Sequence, residues 1–458
     1  MSKFEKDLSR GSVGKQLWAF ALPFIIANLI QSLYSVVDMI VVGQFSGTAS
    51  MSGVNIGSQV TLLITNFVIG LCAGATVLIA QYLGSGARKA LKSTISTLLT
   101  TLVVLAVVMT VFMVFFRKPI LHLIQTPAES FWEADRYLLI TALGTIFIFG
   151  YNALSAIMRG MGDSKNPLIF VGIACFFNVV LDYLLVAKWN MAASGAAIAT
   201  VFSQAISLIL CILYLKRNDF VFDFNLKSFN FHPESFRMLF KVGLPTSVQN
   251  VVVGLSFLFL TTIVNTLGMT ESAALGAVAK FNSFAILPAI AMSSSIAAMS
   301  AQNLGAGLQD RAVQTMKIGT LIGFSMSCVV FAIAMLFPRE ILRIFANDEA
   351  LVAAGTEYMR SFSYDYLLAS IMFGLTGLFI GSGHTTFTLF NSMLASLLVR
   401  IPASYIGGIV MGMGMFGVGL GGPAASLLSL ILALLFFFSG RWKKQVITKG
   451  DPVLQRQE

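Results

Sequence analysis

Twelve long apolar runs constrain the fold of this 458-residue chain more than any other feature. A helix needs about 20 apolar residues to cross the hydrocarbon core of a bilayer. The runs lie at approximately 16–43, 53–82, 93–116, 133–158, 167–187, 192–215, 237–267, 272–303, 314–337, 358–381, 387–410 and 416–440. Charged residues make up only 11% of the chain, whereas soluble domains are about a quarter charged. The sequence therefore predicts an all-α integral membrane protein with twelve transmembrane helices.

The lysines and arginines are distributed unevenly among the loops. Of the 30, 21 lie in the two tails and the even-numbered loops, seven lie in the odd-numbered loops, and Lys280 and Arg400 lie inside apolar runs. Because cytoplasmic loops are enriched in basic residues, we expect a multi-pass protein of the cell membrane with both termini in the cytoplasm. This distribution explains the net charge of +10 without a nucleic-acid partner.

Matches at a nearly constant separation divide the chain into two halves. Pro23 in ALP is matched by Pro245 in GLP, and AQYLGSG at 80–86 is matched at almost the same separation by AQNLGAG at 301–307. Each half has six spans, so both halves enter the membrane in the same direction, and we expect two six-helix bundles related by a pseudo-twofold axis along the membrane normal. The predicted boundaries are 1–215 for the N-terminal bundle, 216–236 for a cytoplasmic linker, 237–440 for the C-terminal bundle and 441–458 for a cytoplasmic tail.

Two acids lie well inside apolar runs of the first half. Asp38 is in the first run and Asp182 in the fifth, where Asn178 shares its helix face because the two are four residues apart. Thr200 lies in the sixth run. Counted from the span ends, these side chains lie on the order of 10 Å below the outer surface. Because an ionised acid is costly in hydrocarbon, the two acids indicate a functional site.

The side chains at this level permit more than one interpretation. Carboxylate, amide and hydroxyl oxygens are hard ligands suited to a small cation, and two neighbouring carboxylates can also share a proton. Asn178 and Thr200 alternatively bond only to neighbouring helices. Pro23 removes one helical hydrogen bond and is either a static kink or a moving hinge.

Several motifs together resemble the MATE (multidrug and toxic compound extrusion) family of transporters. They are YSVVDMIVVG in the first run, AQYLGSG after the second, MRGMGDSKNP after the fourth, NVVLD in the fifth, SGAAIAT in the sixth, and AQNLGAG and RIP in the second half. The resemblance covers essentially the whole chain and points to the DinF-like branch. It implies a secondary active multidrug efflux transporter that exchanges H⁺ or Na⁺ for small organic, often cationic, substrates by alternating access.

The resemblance also assigns roles to individual residues. The roles are cation coupling by Asp38, Asp182, Asn178 and Thr200, substrate binding by Gln31, Tyr34, Asn152 and Asp38, and helix bending by Pro23. In a sodium-coupled protein, Asp38 and Asp182 would bind the Na⁺. We expect a monomer without catalytic residues, and no cofactor other than Na⁺ as a coupling ion.

The second half departs from another branch of the family, which couples transport through acids in spans seven and ten. Span seven has no acid, and Asp365 lies nearer the outer end of span ten than that pattern requires. For Lys280 and Arg400, structural and gating roles both stay open. An alternative function is a flippase for lipid-linked precursors or polysaccharides, which would need a more cationic cleft. An intramembrane enzyme is disfavoured because the sequence has no catalytic motif, and the absence of a phosphate-loop motif argues against an ATP-driven pump.

Overall fold

All regular structure in this protein is helical. The computed structural model describes residues 5–218, 220–345 and 348–444, and these residues contain no strand. Among them, ten helices are long and apolar enough to cross a membrane, or eleven when one bent pair counts as a span. The longest, Val13–Ser85, is interrupted at Gly47, and counting it as two spans brings the total to twelve. The predicted all-α membrane fold class is confirmed.

The first half contains six α-helices, the fifth of which continues as a π-helical segment. The helices are α1 (Val13–Ser85), α2 (Arg88–Leu123), α3 (Ala128–Leu143), α4 (Thr145–Gly160), α5 (Lys165–Asp182) and α6 (Ala192–Arg217), and the π-helical segment is Tyr183–Lys188. A short 3₁₀ turn, Leu226–Ser228, lies in the linker.

The second half is divided into more helices than the first. They are α7 (Pro233–Asn265), α8 (Met269–Ala285), α9 (Leu287–Gly305), α10 (Gln309–Leu336), α11 (Pro338–Arg343), α12 (Glu349–Phe362), α13 (Tyr364–Gly381), α14 (Thr385–Met393), α15 (Ile401–Tyr405), α16 (Gly414–Gly419) and α17 (Gly421–Phe438). Two π-helical segments, Leu394–Arg400 and Ile406–Val410, flank α15, and a 3₁₀ turn, Arg441–Lys443, ends the described chain.

Two glycines lie at points where the helical chain changes direction within the first four spans. Gly47 separates the first two spans with φ 78° and ψ 177°, a conformation that glycine adopts without a steric penalty. At Gly144, α3 and α4 meet at an angle of 52°. A Cβ at Gly144 would overlap the side chain of Val201 in α6, so the bend brings bare backbone against α6. The apolar run at 133–158 did not indicate this bend, because hydropathy carries no information on helix direction.

The chain divides into two compact units whose borders differ from the predicted ones. One unit contains residues 5–7 and Ile26–Gly243, and the other contains Leu8–Ile25 and the described residues from Leu244 onward. The linker and the start of α7 therefore belong to the first unit, and the start of α1 belongs to the second. The borders at 25/26 and 243/244 lie within a few residues of the repeated prolines. Of the predicted tail, only 441–444 lie within the described residues.

Packing explains why the start of α1 belongs to the second unit. Leu17 and Phe20 are members of one buried apolar cluster with Ile296. The backbone N–H of Leu8 donates to Oε1 of Gln302 at 2.8 Å. Span counting assigns a helix to one bundle as a whole, whereas these contacts show that the two ends of α1 enter different cores.

Candidate functional site

Three predicted polar residues of the first unit lie at one depth, because each is one helical turn from the same buried apolar cluster. The cluster members in question are Val42, four residues after Asp38, Val186, four residues after Asp182, and Ala196, four residues before Thr200. Four residues span about 6 Å along a helix. The cluster member follows the polar residue in α1 and α5 but precedes it in α6, as expected because α6 runs in the opposite direction. The structure therefore brings these residues of α1, α5 and α6 together.

The two acids are buried, and three of their four carboxylate oxygens have no hydrogen-bond donor among the described residues. Asp182 is 0% exposed, Asn178 is 1% exposed and Asp38 is 8% exposed. Within the described ranges, no hydrogen-bond partner reaches either carboxylate oxygen of Asp182, Oδ1 of Asp38 or the amide atoms of Asn178. Buried polar groups almost always have partners, and a buried charge requires a counter-charge. This arrangement is therefore suited to taking up a proton or a cation.

Two tyrosines lie beside the acid pair. Tyr34 of α1 interacts electrostatically with both Asp38 and Asp182. Tyr137 of α3 interacts with the same acids, and its hydroxyl lies beside Thr200. The acids also interact with each other. Four helices of the first unit thus contribute side chains to one polar cluster, which we call the acid cluster: Tyr34, Asp38, Tyr137, Asn178, Asp182 and Thr200.

A small cavity lies among α1, α5 and α6 beside the acid cluster, although neither Asp38 nor Asp182 is among its lining residues. Its volume is about 10 Å³. Four predicted residues line it, namely Gln31, Tyr34, Asn178 and Thr200. A cavity of this size accommodates roughly one water molecule or a monatomic cation. Drug-sized ligands occupy roughly 300–1,000 Å³, so the site must enlarge before it can accept one.

Sequence reasoning missed Tyr137 and a polar turn of α6. Ser203 and Gln204 follow Thr200 by one helical turn and line the same cavity, and Oε1 of Gln204 is buried without a partner among the described residues. The helical spacing from Thr200 was the available signal for this turn. For Tyr137, the signal was the internal repeat, since Tyr358 occupies the equivalent position of the second half.

The structure does not bring Asn152 into this cavity. Its Nδ2 donates to the carbonyl oxygen of Ile148 at 2.8 Å, within its own helix α4. Pro23 lies inside α1, and Gly47 is the residue at which the helical backbone is interrupted. The proposed roles of these residues in substrate binding and bending stay predictions.

A metal ion at this site would depend on neutral oxygen ligands. The described residues contain no group of three or more His, Cys, Asp or Glu side chains that could hold a metal ion. Asp38 and Asp182 would therefore need the amide oxygen of Asn178 and the hydroxyl of Thr200 to complete a Na⁺ shell. Carboxylate, carbonyl and hydroxyl oxygens are the ligands that hard cations prefer, so the residues present fit this ion.

The second unit buries a different arrangement of charges. Asp365 of α13 is 6% exposed, and it interacts electrostatically with Arg400 while the Ser426 hydroxyl lies beside it. The guanidinium carbon of Arg400 lies 4.8 Å from the centroid of the Phe257 ring. Lys280, in contrast, is exposed on α8. Of the two basic residues predicted inside second-half spans, one therefore has a buried counter-charge nearby and the other faces outward.

The internal repeat coincides with a known protein family. The MatE family model matches residues 23–184 and again 245–406, once in each half and over more than half of the chain. The chain belongs to the MatE family. Both matches begin at one of the repeated prolines, so the family unit and the sequence repeat are the same segment.

MatE relatives match this protein along nearly its whole length. The "Probable multidrug resistance protein YpnP" of Bacillus subtilis (strain 168) is 28% identical over 437 residues, which cover 95% of this chain and 97% of the relative. The "Probable multidrug resistance protein NorM" of Thermotoga maritima is 26% identical over 452 residues, 96% of each chain. The solved structure "Crystal structure of MATE in complex with MaL6" has a TM-score of 0.90 at 21% identity, covering 96% of this chain and 99% of that one.

These matches settle the family and the fold of the protein. The chain is a multi-pass membrane protein of a family of multidrug efflux transporters, and the matches do not favour the flippase alternative. The DinF-like branch stays a prediction, because the matches do not distinguish branches.

Proposed function

We propose that this protein exports small organic cations and is driven by inward movement of H⁺ or Na⁺ through the acid cluster. The supporting observation is that Asp38 and Asp182 are buried and that no donor within the described ranges reaches three of their four carboxylate oxygens. A buried, uncompensated carboxylate strongly favours binding of a proton or a cation. The energy of an ion gradient can therefore enter the protein at this point.

Competition for the acids couples the two movements in this proposal. A cationic substrate binds the ionised carboxylates, and a proton or Na⁺ arriving from outside neutralises them and releases the substrate. Gln31, Tyr34 and Asn152 contact the substrate after the site has enlarged. Each ligand must bind one of two conformations more tightly than the other, because a ligand with equal affinity for both would not shift the equilibrium.

Pro23 is the proposed hinge of this conformational change. It lies two residues before the end of the α1 segment that belongs to the second unit. Because proline removes one hydrogen bond of the helix, α1 can bend there at a lower cost than elsewhere. We expect Pro23→Ala to slow efflux, whereas Pro119→Ala, at an exposed proline inside α2, should not.

The proposed orientation follows the positive charges, with both termini in the cytoplasm. The proposed functional unit is a monomer, because one chain supplies every member of the acid cluster.

Efflux from proteoliposomes tests the proposed function. A fluorescent organic cation is loaded, and an inward sodium gradient or an inward proton gradient is imposed separately. We expect one of the two gradients to drive efflux in the wild type and neither to drive it in Asp38→Asn. The matched control is Glu129→Gln, which removes an exposed carboxylate at the start of α3. Gradient-driven efflux by Asp38→Asn at the wild-type rate would overturn the proposal.

A second pair of variants identifies the coupling ion. Na⁺ needs the neutral oxygens of Asn178 and Thr200, whereas a proton needs only a carboxylate. Thr200→Val and Asn178→Leu should therefore abolish sodium-driven efflux, but they should leave most of a proton-driven efflux intact.

A further inference from the structure

The first unit contains a basic cavity whose lining residues differ from those of the acid cluster. It has a volume of about 560 Å³ and is formed by the start of α2, the linker and the start of α7. Its lining includes Lys89, Lys92 and Lys227, together with His232 and Glu234. The acid cluster contributes none of the residues that line this cavity.

Hydrogen bonds fix the walls of the basic cavity. The Ser96 hydroxyl of α2 lies 2.6 Å from the carbonyl oxygen of Ser228 and 2.9 Å from that of Asn230. It also accepts the backbone N–H of Asn230 at 2.9 Å. The hydroxyls of Ser93 and Ser235 are 2.9 Å apart and join α2 to α7. The linker is therefore held against α2, and the cavity is a preformed feature of the fold.

The charge of the lining is positive. Its three lysines are exposed, and none forms a salt bridge with another described residue. Glu234 supplies one carboxylate, so three lysines and one glutamate give a formal charge of +2 with His232 neutral. The 33-residue helix α7 begins at Pro233 in the same wall, and its N-terminus adds a partial positive charge.

We propose that this cavity binds a phosphate-bearing anion, either the head group of an anionic lipid or a soluble phosphate compound. A phosphomonoester carries a charge of about −1.5 to −2 at pH 7, which balances the lining. The lysine ammonium groups are donors of the kind that phosphate oxygens accept, whereas the serine hydroxyls mainly hold the walls of the cavity together. The inference goes beyond the proposed efflux, since it uses none of the coupling residues.

The location of the cavity favours a lipid as the source of the phosphate. The cavity lies where the proposed orientation puts the cytoplasmic ends of α2 and α7. Basic pockets at the cytoplasmic ends of membrane helices are typical sites for anionic head groups. A soluble phosphate compound would reach the same lysines from the cytoplasm.

Binding to the detergent-solubilised full chain tests the proposal. The calorimetric probes are short-chain phosphatidic acid, short-chain phosphatidylcholine and inorganic phosphate. We expect phosphatidic acid to bind and phosphatidylcholine to bind much more weakly. If inorganic phosphate competes with phosphatidic acid, the site also accepts soluble phosphates. If it does not compete, the lipid head group is the ligand.

Lysine substitutions locate the binding. The double variant Lys89→Gln/Lys227→Gln should weaken phosphatidic acid binding about thirtyfold, since each lysine near a surface contributes about 1 kcal/mol and about 1.4 kcal/mol is tenfold. The control Lys216→Gln/Lys317→Gln removes two exposed lysines outside the cavity and should leave affinity within about twofold of wild type.

Glu234→Gln provides a test of opposite sign. Removal of the carboxylate from the lining should strengthen binding by several-fold, which loss of folding cannot mimic. The proposal is overturned if phosphatidic acid does not bind the wild type, if both lysine pairs weaken binding equally, or if phosphatidylcholine binds as tightly as phosphatidic acid. None of these outcomes depends on efflux activity.

Discussion

The two halves of this protein bury carboxylates in opposite ways. In the first half, Asp38 and Asp182 interact electrostatically with each other and with two tyrosines. In the second half, Asp365 interacts electrostatically with Arg400, and the hydroxyl of Ser426 lies beside it. The second arrangement places a basic residue near its acid, although Oδ1 of Asp365 has no hydrogen-bond partner among the described residues. The first lacks a buried cation among its described neighbours, so its counter-charge must come from outside the protein. This difference supports our proposal that coupling takes place in the first half.

The repeat shows where the halves diverged. Residues aligned by the repeat with Asp38, Asn178, Asp182 and Thr200 are Leu260, Val399, Ala403 and Gly421. At Gly421, an added Cβ would overlap the Ser404 hydroxyl and lie 2.7 Å from the Arg400 carbonyl oxygen, so no side chain fits there. Tyr137 keeps a tyrosine counterpart, Tyr358, which lies near Arg400 rather than near an acid pair. Duplication thus preserved the helical framework, while the charges inside it were replaced.

The strongest test of this comparison makes the same kind of substitution in each half and measures efflux. Only the substitution in the first half should cause a large loss. Asp182→Asn should lower gradient-driven efflux at least about a hundredfold, because removal of a group that acts in transport typically costs several kcal/mol. Asp365→Asn should retain efflux within about tenfold per folded molecule. Initial efflux rates in proteoliposomes, normalised to reconstituted protein, measure both. Equal losses in the two variants would contradict a single coupling site.

The second prediction concerns stability, which should depend on the acid of the second half. Asp365→Asn leaves the half-buried Arg400 guanidinium without its nearby counter-charge and should lower the free energy of unfolding by about 1–3 kcal/mol. The double variant Asp365→Asn/Arg400→Met should recover most of that loss, because it removes the orphaned charge. Chemical denaturation in detergent measures the change. Failure of the double variant to recover stability would show that the two charges do not compensate each other.

The third prediction compares the helix junctions of the two halves. Gly144→Ala should destabilise the protein by about 1–3 kcal/mol, because the new Cβ overlaps Val201. Ser363→Ala, at the junction of α12 and α13, should cost no more than about 1 kcal/mol, since it removes only a hydroxyl that contacts the Met359 carbonyl oxygen. Thermal unfolding midpoints in detergent measure both changes. A larger effect at Ser363 would mean that its hydroxyl has a further role.

The smallest predicted effect isolates the contact between Arg400 and an aromatic ring. Phe257→Leu should reduce the free energy of unfolding by about 0.5–1 kcal/mol through loss of the cation–π contact. Phe259→Leu, at an exposed phenylalanine of the same helix, controls for the lost apolar area. In an Arg400→Met background the two substitutions should have the same effect. A difference that persists there would assign the contribution of Phe257 to packing alone.

The common level of the acids on their helices could be predicted because a helix has a fixed rise per residue. Once Asp38, Asp182 and Thr200 were assigned to spans, their distance from the span ends followed from a rise of about 1.5 Å per residue. The side-chain cluster could not be predicted completely, because rotation of a helix about its axis depends on packing with its neighbours. Asn152 illustrates this limit, since its side chain bonds to its own helix rather than lining the cavity.

The sequence by itself determined the number of spans, the repeat and the absence of second-half acids at the matching positions, because these depend on length, hydropathy and spacing. Only the tertiary structure decided that the start of α1 belongs to the second unit, that span four bends at Gly144, and that Arg400 lies beside Asp365. These features depend on contacts between residues far apart in the chain. Such contacts are selected by the shapes of two packed surfaces together, and neither segment carries that information alone.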